Sequence, residues 1–107
     1  MDLQSLKGII STCEIIFTKH AITRAEQRRV RLSDVRKNLH KPDKLIMADK
    51  ITPCQYNCWF ELSESLGHKY GILINEKTRV ITVIKIRSRW QREVEKHAKK
   101  IPKRLRL

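Results

Sequence analysis

The spacing of the apolar residues changes near Lys44, and this change constrains the fold more than any other feature of the sequence. Before Lys44, apolar residues recur every three to four positions, as they do in amphipathic helices. After Lys44, they alternate with polar residues, as they do in strands that bury one face. The chain is therefore predicted to form helices first and a sheet of neighbouring strands second, which is an α+β arrangement.

Three helices are predicted in the first part of the chain, over residues 2–11, 18–29 and 33–39. Thr18 is expected to cap the second helix, because its hydroxyl can accept a hydrogen bond from the first turn. Ser33 is expected to cap the third helix in the same way, and this helix stops before Pro42. The intervening residues 13–17 are mostly apolar and include two β-branched residues, so they are expected to form a short extended segment or a hydrophobic staple before the second helix.

Four strands are predicted to follow, over residues 45–48, 54–62, 68–74 and 80–86. The last strand is apolar on both faces, which predicts a position inside the sheet. Ser88 is predicted to cap a final helix from Arg89 to about Lys100. The predicted fold is thus α+β, with N-terminal helices followed by a four-stranded, mainly antiparallel sheet and a C-terminal helix, and all of the helices are expected to pack on one face of the sheet. Residues 1–100 form one basic domain in this prediction, and residues 101–107 form a basic tail.

The positive charge of the chain indicates a polyanionic partner. The sequence has 24 Lys and Arg residues against 11 Asp and Glu residues, a formal net charge of +13. Nucleic acid is the commonest partner of such a protein. The sequence has no long apolar run, lipidation signal or signal peptide, so we expect a cytoplasmic protein that does not bind a membrane. Its three cysteines are expected to be reduced thiols.

Metal and cofactor sites are not expected from the sequence. Cys54 and Cys58 lack the spacing of a zinc site and fall on the apolar side of their predicted strand, where both are expected to be buried. Glu61 and Glu64 are expected to pair with cations in so basic a chain. No His, Asp and Glu cluster has metal-ligand spacing, and no glycine-rich phosphate loop is present.

The basic residues that carry the functional prediction form two groups. His20, Arg24 and Arg28 lie on one face of the second predicted helix, at positions i, i+4 and i+8. Lys85 and Arg87 alternate at the end of the last predicted strand. Trp59 falls on the polar side of its strand, where it could stack on unpaired bases. The predicted nucleic-acid contacts are Arg28, Arg29, Trp59, Arg89, Trp90, Arg92 and Lys96. An alternative for Trp90 is an anchor that packs the last helix on the sheet.

One reaction on a polyanion needs neither a metal ion nor a pair of carboxylates. The 2′-hydroxyl of RNA can attack the neighbouring phosphodiester if the protein supplies proton transfer and positive charge. His20 or His68 could transfer the proton, and Tyr70 could also act as an acid. The predicted catalytic set is His20, Arg24, Lys85 and Arg87. In the alternative, a non-catalytic DNA- or RNA-binding protein, the same residues only neutralise phosphates.

Three segments carry a resemblance to known proteins: His20-Ala21-Ile22-Thr23-Arg24-Ala25-Glu26-Gln27-Arg28-Arg29-Val30, then Ser33-Asp34-Val35, then Lys41-Pro42-Asp43. With the predicted sheet and the basic C-terminal helix, residues 15–90 resemble the RelE/ParE-like toxin superfamily. They also resemble a small prokaryotic family in which a helix that begins with His-Ala and carries later arginines precedes a Pro-Asp turn and a β-meander.

The RelE resemblance implies an endonuclease that acts on messenger RNA, free or on the ribosome, while the ParE resemblance implies a toxin directed at gyrase. Either branch implies an antitoxin partner. RelE-type toxins place basic catalytic residues on the sheet, and Lys85 and Arg87 match those positions. They also place a Tyr or His near the C-terminal end. Here no Tyr follows Trp90, and the one late histidine is His97.

Overall fold

The computed structural model describes residues 1–87 and 89–107. Its helices are α1 (Leu3–Thr12), α2 (Lys19–Gln27), α3 (Leu32–His40) and α4 (Trp90–Ala98). Its strands are β1 (Ile15–Phe17), β2 (Leu45–Lys50), β3 (Gln55–Ser63), β4 (Leu66–Ile74) and β5 (Thr78–Ile86). Short 3-10 helices cover Pro42–Lys44 and Lys103–Leu105. The predicted α+β class and C-terminal helix are confirmed, whereas the predicted cap Ser88 lies outside the described residues.

The sheet has five strands in the order β1-β5-β4-β3-β2, and β1 is parallel to β5. The prediction of a four-stranded, mainly antiparallel sheet was therefore wrong in strand number. Residues 13–17 were expected to be extended, but nothing local in the sequence shows that Ile15–Phe17 pairs with Thr78–Val80, more than sixty residues later. The interior position predicted for the last strand is confirmed, since β5 lies between β1 and β4.

Helices cover both faces of the sheet, so the prediction that all of them pack on one face was wrong. The larger core lies between α1–α3 and the face that carries Tyr56, Cys58 and Phe60 of β3. Trp59, which points to the opposite face of β3, packs in a second core with α4 and with Ile101 and Leu105 of the C-terminal segment; that core contains Met47, Trp59, Trp90, Ile101 and Leu105. The C-terminal segment also joins the edge strand β2, where the Leu107 amide donates to the Ile46 carbonyl over 2.7 Å.

The two tryptophans are buried, each 1% exposed, and neither can stack on a base from its present position. The predicted exposure of Trp59 was wrong, because α4 covers the side of β3 that the alternation marked as polar. Trp90 anchors α4 on the sheet, which is the alternative interpretation that the sequence offered for it. Its ring occupies the space that a β-carbon would need at Gly67 of β4, so the sheet admits this large side chain only because residue 67 has none.

The local predictions at the helix ends had mixed outcomes. The Thr18 cap is confirmed, since its Oγ1 accepts from the Ala21 amide over 3.1 Å. The Ser33 cap was wrong: α3 begins at Leu32, and Arg31 precedes it without a side-chain cap. The burial of Cys58 is confirmed, but Cys54 is exposed because β3 begins only at Gln55.

Candidate nucleic-acid interface and active site

The end of α2 places an arginine in an unusual backbone conformation. Arg29 has a φ of 54°, in the left-handed region that glycine usually occupies at the end of a helix. Two backbone hydrogen bonds close this turn, from the Val30 amide to Ala25 (2.8 Å) and from the Arg29 amide to Glu26 (3.1 Å). A left-handed residue other than glycine costs about 1 kcal/mol. The turn directs the chain from α2 into α3 with Arg29 and Arg31 at its surface.

Two hydrogen bonds join this turn to β5. The Arg28 guanidinium donates from Nη1 to the Val83 carbonyl over 2.6 Å, and the Lys85 ammonium donates to the Arg29 carbonyl over 3.2 Å. Lys85 is paired across the sheet with His68 of β4. The end of α2, the end of β5 and the start of β4 therefore meet at one place.

A cleft of about 310 Å³ opens at this meeting point. Its described lining contains five cationic side chains and one carboxylate, and the residues are Arg29, Val30, Arg31, Asp34, Lys37, Asn38, Lys44, Leu62, Leu66, His68 and Lys85. A shallower depression adjoins it and shares Arg29 and Lys85; its other lining residues are Gln27, Arg28 and Arg87. We refer to the two together as the basic cleft. Cations concentrated in a concave surface attract anions, so this lining suits a phosphate.

His68 is the buried titratable side chain of the basic cleft, and it is 5% exposed. Its Nδ1 lies 2.6 Å from the Tyr70 hydroxyl oxygen, which in turn accepts from Asn38 Nδ2 over 2.9 Å. Burial lowers the pKa of His68 to about 4, with a further contribution from the Lys85 charge, while Asp34 opposes the shift. Burial also raises the pKa of the Tyr70 hydroxyl. At neutral pH both side chains are therefore uncharged.

The site residues predicted from the sequence do not all lie in one site. Arg28, Arg29, Lys85 and Arg87 lie together around the basic cleft. His20 and Arg24 lie on the outer side of α2, where Arg24 Nε donates to His20 Nε2 over 3.5 Å, and neither lines the basic cleft as defined above. Arg89 lies on a further depression that Lys69, Lys85 and Arg87 also line. Arg92 and Lys96 belong to α4, on the other face of the sheet, beside Lys99 and Arg106.

One part of the cleft was not predicted from the sequence, and it is the part that α3 and the following turn provide, namely Arg31, Lys37, Asn38 and Lys44. His68 and Tyr70 were considered only as alternatives for proton transfer. A signal for them was present, since alternation along β4 puts His68 and Tyr70 on the same face as the apolar Ile72. The antiparallel pairing of β4 with β5 then brings Lys85 opposite His68.

Within residues 1–87 and 89–107, no three His, Cys, Asp or Glu side chains are grouped so that they could hold a metal ion. Over the same residues, no helix combines the length and the apolar character needed to cross a membrane. No family model matches the chain, and neither does any curated protein or solved structure that was compared with it.

Proposed function

We propose that this protein binds RNA in the basic cleft and cleaves it without a metal ion, in the manner of a RelE-like endoribonuclease. The observation that carries the proposal is the buried, uncharged His68 ring, directly opposite Lys85 in a cleft lined by cations. A phosphodiester placed there would meet fixed positive charge and a hydrogen-bonding imidazole together. Both groups would stabilise the negative charge that develops on the phosphate oxygens during transesterification.

The proposed reaction is an internal transesterification. The 2′-oxygen of RNA forms a bond to the adjacent phosphorus as the bond from phosphorus to the 5′-oxygen breaks. The 2′-hydroxyl loses its proton and the departing 5′-oxygen gains one, which leaves a 2′,3′-cyclic phosphate and a 5′-hydroxyl end. Negative charge builds up on the phosphate oxygens in the transition state. Lys85, Arg29 and Arg87 would stabilise that charge, and His68 would hydrogen-bond to the reacting group.

His20 and Arg24 have a different place in this proposal from the one their sequence pattern suggested. They continue along α2 from Arg28, which lines the basic cleft. With Arg28 they form a row of basic side chains that would guide an RNA strand toward the cleft. The strand would come from messenger RNA, free or on the ribosome, in a cytoplasmic setting, and an antitoxin would be the regulatory partner.

A non-catalytic nucleic-acid-binding protein is the second candidate, and one observation favours it. A histidine whose pKa is about 4 is a weak base, so it accepts a proton poorly at neutral pH. In that case the basic cleft would only hold phosphates. A ParE-like toxin directed at gyrase is a variant of this candidate in which the bound partner is a protein–DNA complex.

The deciding experiment is incubation of the purified protein with end-labelled single-stranded RNA in EDTA, with and without ribosomes. Wild-type protein is expected to cleave the RNA and leave 2′,3′-cyclic phosphate ends. His68→Gln and Lys85→Gln are each expected to lower the rate at least tenfold. Lys77→Gln is the matched control, because Lys77 lies in the turn after β4 and pairs with Glu14 at 3.5 Å, away from the cleft.

The same assay separates the candidates. Intact RNA held in a salt-sensitive complex would leave the binding protein and remove the nuclease. His20→Ala is expected to weaken RNA binding and to slow cleavage only in proportion. Cleavage that is lost in His20→Ala and kept in His68→Gln would move the active site to the outer side of α2.

A further inference from the structure

We infer that Asn38 and Tyr70 are positioning residues that hold the proton of the neutral His68 ring on Nε2, so that the basic cleft presents an imidazole N–H donor to a phosphate oxygen. The position of the proton follows from the hydrogen bonds alone. The role toward a phosphate of RNA rests on the proposed function.

The hydrogen bonds around Tyr70 determine which group donates. A phenol carries one proton and accepts best at the one remaining position in the plane of its ring. Asn38 Nδ2 takes the accepting position at 2.9 Å. The Tyr70 proton is then left for the other partner, His68 Nδ1, at 2.6 Å. Because Nδ1 accepts this proton, the proton of the neutral imidazole must lie on Nε2.

The same network opposes a second proton on the His68 ring. A proton on Nδ1 would point at a Tyr70 oxygen that already accepts from Asn38, so two donors would face one acceptor. Lys85 adds its positive charge from β5, while Asp34 of α3 is the one nearby carboxylate among the described residues of the cleft. The lowered pKa of His68 agrees with this arrangement. Nδ1 is taken and His68 lines the cleft, so Nε2 is the ring nitrogen left for a ligand.

This assignment changes what His68 does in the proposed reaction. An imidazole with its proton on Nε2 does not take the proton of the 2′-hydroxyl there. It donates a hydrogen bond to a phosphate oxygen, as a neutral electrophile does. The proton of the 2′-hydroxyl passes instead to hydroxide from the solvent, which becomes water, and a water molecule gives a proton to the departing 5′-oxygen, which regenerates the hydroxide. Lys85 supplies a full positive charge, and His68 supplies a directional hydrogen bond from Nε2–H.

The test is long-range ¹H–¹⁵N NMR of protein labelled in its four histidines, with His68→Gln used to assign the His68 signals. At neutral pH, wild-type protein is expected to show His68 with a protonated Nε2 and an unprotonated Nδ1. The reverse pattern in the wild-type protein would overturn the inference, and His68→Gln serves only to assign the signals.

Asn38→Asp tests the positioning role. A carboxylate has no N–H and accepts the Tyr70 proton, so Tyr70 is free to accept from Nδ1 of His68. The proton is expected to move to Nδ1, and the pKa of His68 is expected to rise by about 1–3 units. Asn75→Asp is the matched control, since exposed Asn75 follows β4 at its other end, about 23 Å from His68 at the rise of a strand. An unchanged His68 in Asn38→Asp would overturn the role of Asn38.

Inorganic phosphate tests the donor role. Its addition to wild-type protein is expected to shift the Nε2–H signal of His68 and to shift it less in Lys85→Gln. No shift at phosphate concentrations that perturb the neighbouring backbone amides would overturn the donor role. A protein that never cleaves RNA but shows this shift would remove the nuclease proposal and leave the assignment of His68 standing, so the two failures are distinguishable.

Discussion

Lys85 and Arg29 are joined by a hydrogen bond in which the lysine ammonium donates to the arginine carbonyl over 3.2 Å. The bond connects the end of β5 to the left-handed turn at the end of α2. It holds the two cationic side chains near each other although like charges repel. This is possible because the Lys85 ammonium is attracted to the backbone carbonyl of Arg29 and not to its side chain. The turn thereby concentrates positive charge at the mouth of the basic cleft.

Arg29→Gly is expected to weaken RNA binding without destabilising the fold. Glycine adopts a φ of 54° without strain, so relief of about 1 kcal/mol offsets the greater freedom of glycine in the unfolded chain. Affinity should fall because a cation of the cleft is lost. Urea unfolding and a binding titration with fluorescent RNA measure the two effects. Arg29→Ala is the control: it removes the same charge but keeps the strain, so it should bind equally weakly and be less stable than Arg29→Gly. Equal stability of the two variants would contradict the strain at residue 29.

RNA binding is expected to depend steeply on salt, with each cation of the basic cleft contributing separately. Neutralising one phosphate of a single strand contributes about −0.7 to the slope of log K against log [salt]. Lys85→Gln and Arg31→Gln should each make the slope shallower by about this amount in titrations at several salt concentrations. Lys77→Gln should leave it unchanged. If all three variants give the wild-type slope, the cleft does not contact the phosphates.

The free energy of unfolding is expected to fall with acidity because of His68. Burial lowers its pKa from 6.5 to about 4, so the unfolded chain binds more protons than the folded protein between these values. The contribution of the neutral His68 ring to the free energy of unfolding is therefore fully present above about pH 6.5 and is lost as the pH falls toward 4. The loss is at most about 3 kcal/mol, at 1.36 kcal/mol per unit.

Urea unfolding at pH 4.5, 5.5, 6.5 and 7.5 measures this dependence. His68→Gln is the control, since glutamine does not titrate. The free energy of unfolding of this variant should vary less between pH 4.5 and 6.5 than that of the wild-type protein. The same decline in both proteins would assign the acid sensitivity to other groups.

Gly67→Ala is expected to destabilise the protein by about 1–3 kcal/mol, the usual effect of overpacking. A β-carbon at residue 67 would overlap the ring of buried Trp90, so α4 would have to shift from the sheet. Thermal unfolding measures the loss, and the fluorescence of Trp59 and Trp90, which lie in the same core, reports the shift of α4. Gly8→Ala makes the same change in α1, where a β-carbon meets no atom within 4 Å, and should stabilise by about 0.5–1 kcal/mol. Wild-type stability in Gly67→Ala would show that α4 does not pack on β4 as described.

The basic cleft was partly visible in the sequence. Arg28, Lys85 and Arg87 were identified because strong charge is a property of the chain that folding does not change. The grouping of these residues around one cleft was not predicted, because it depends on how the end of α2 docks on β5. Trp59 shows the opposite error: alternation marked its side of β3 as polar, and only the packing of α4 shows that this side is buried as well.

Local sequence and composition were enough to predict the order of the helices and of the four later strands, the Thr18 cap, the antiparallel pairing of those strands and the excess of positive charge. These features depend on neighbours within a few residues or on the number of charged residues. Tertiary structure alone decided that Ile15–Phe17 joins β5 as a parallel fifth strand. It also decided that α4 covers the second face and that Asn38, Tyr70 and His68 form a chain of hydrogen bonds beside Lys85. These contacts join residues far apart in the chain, and the free energy of burial and hydrogen bonding that selects them exists only when the distant segments meet.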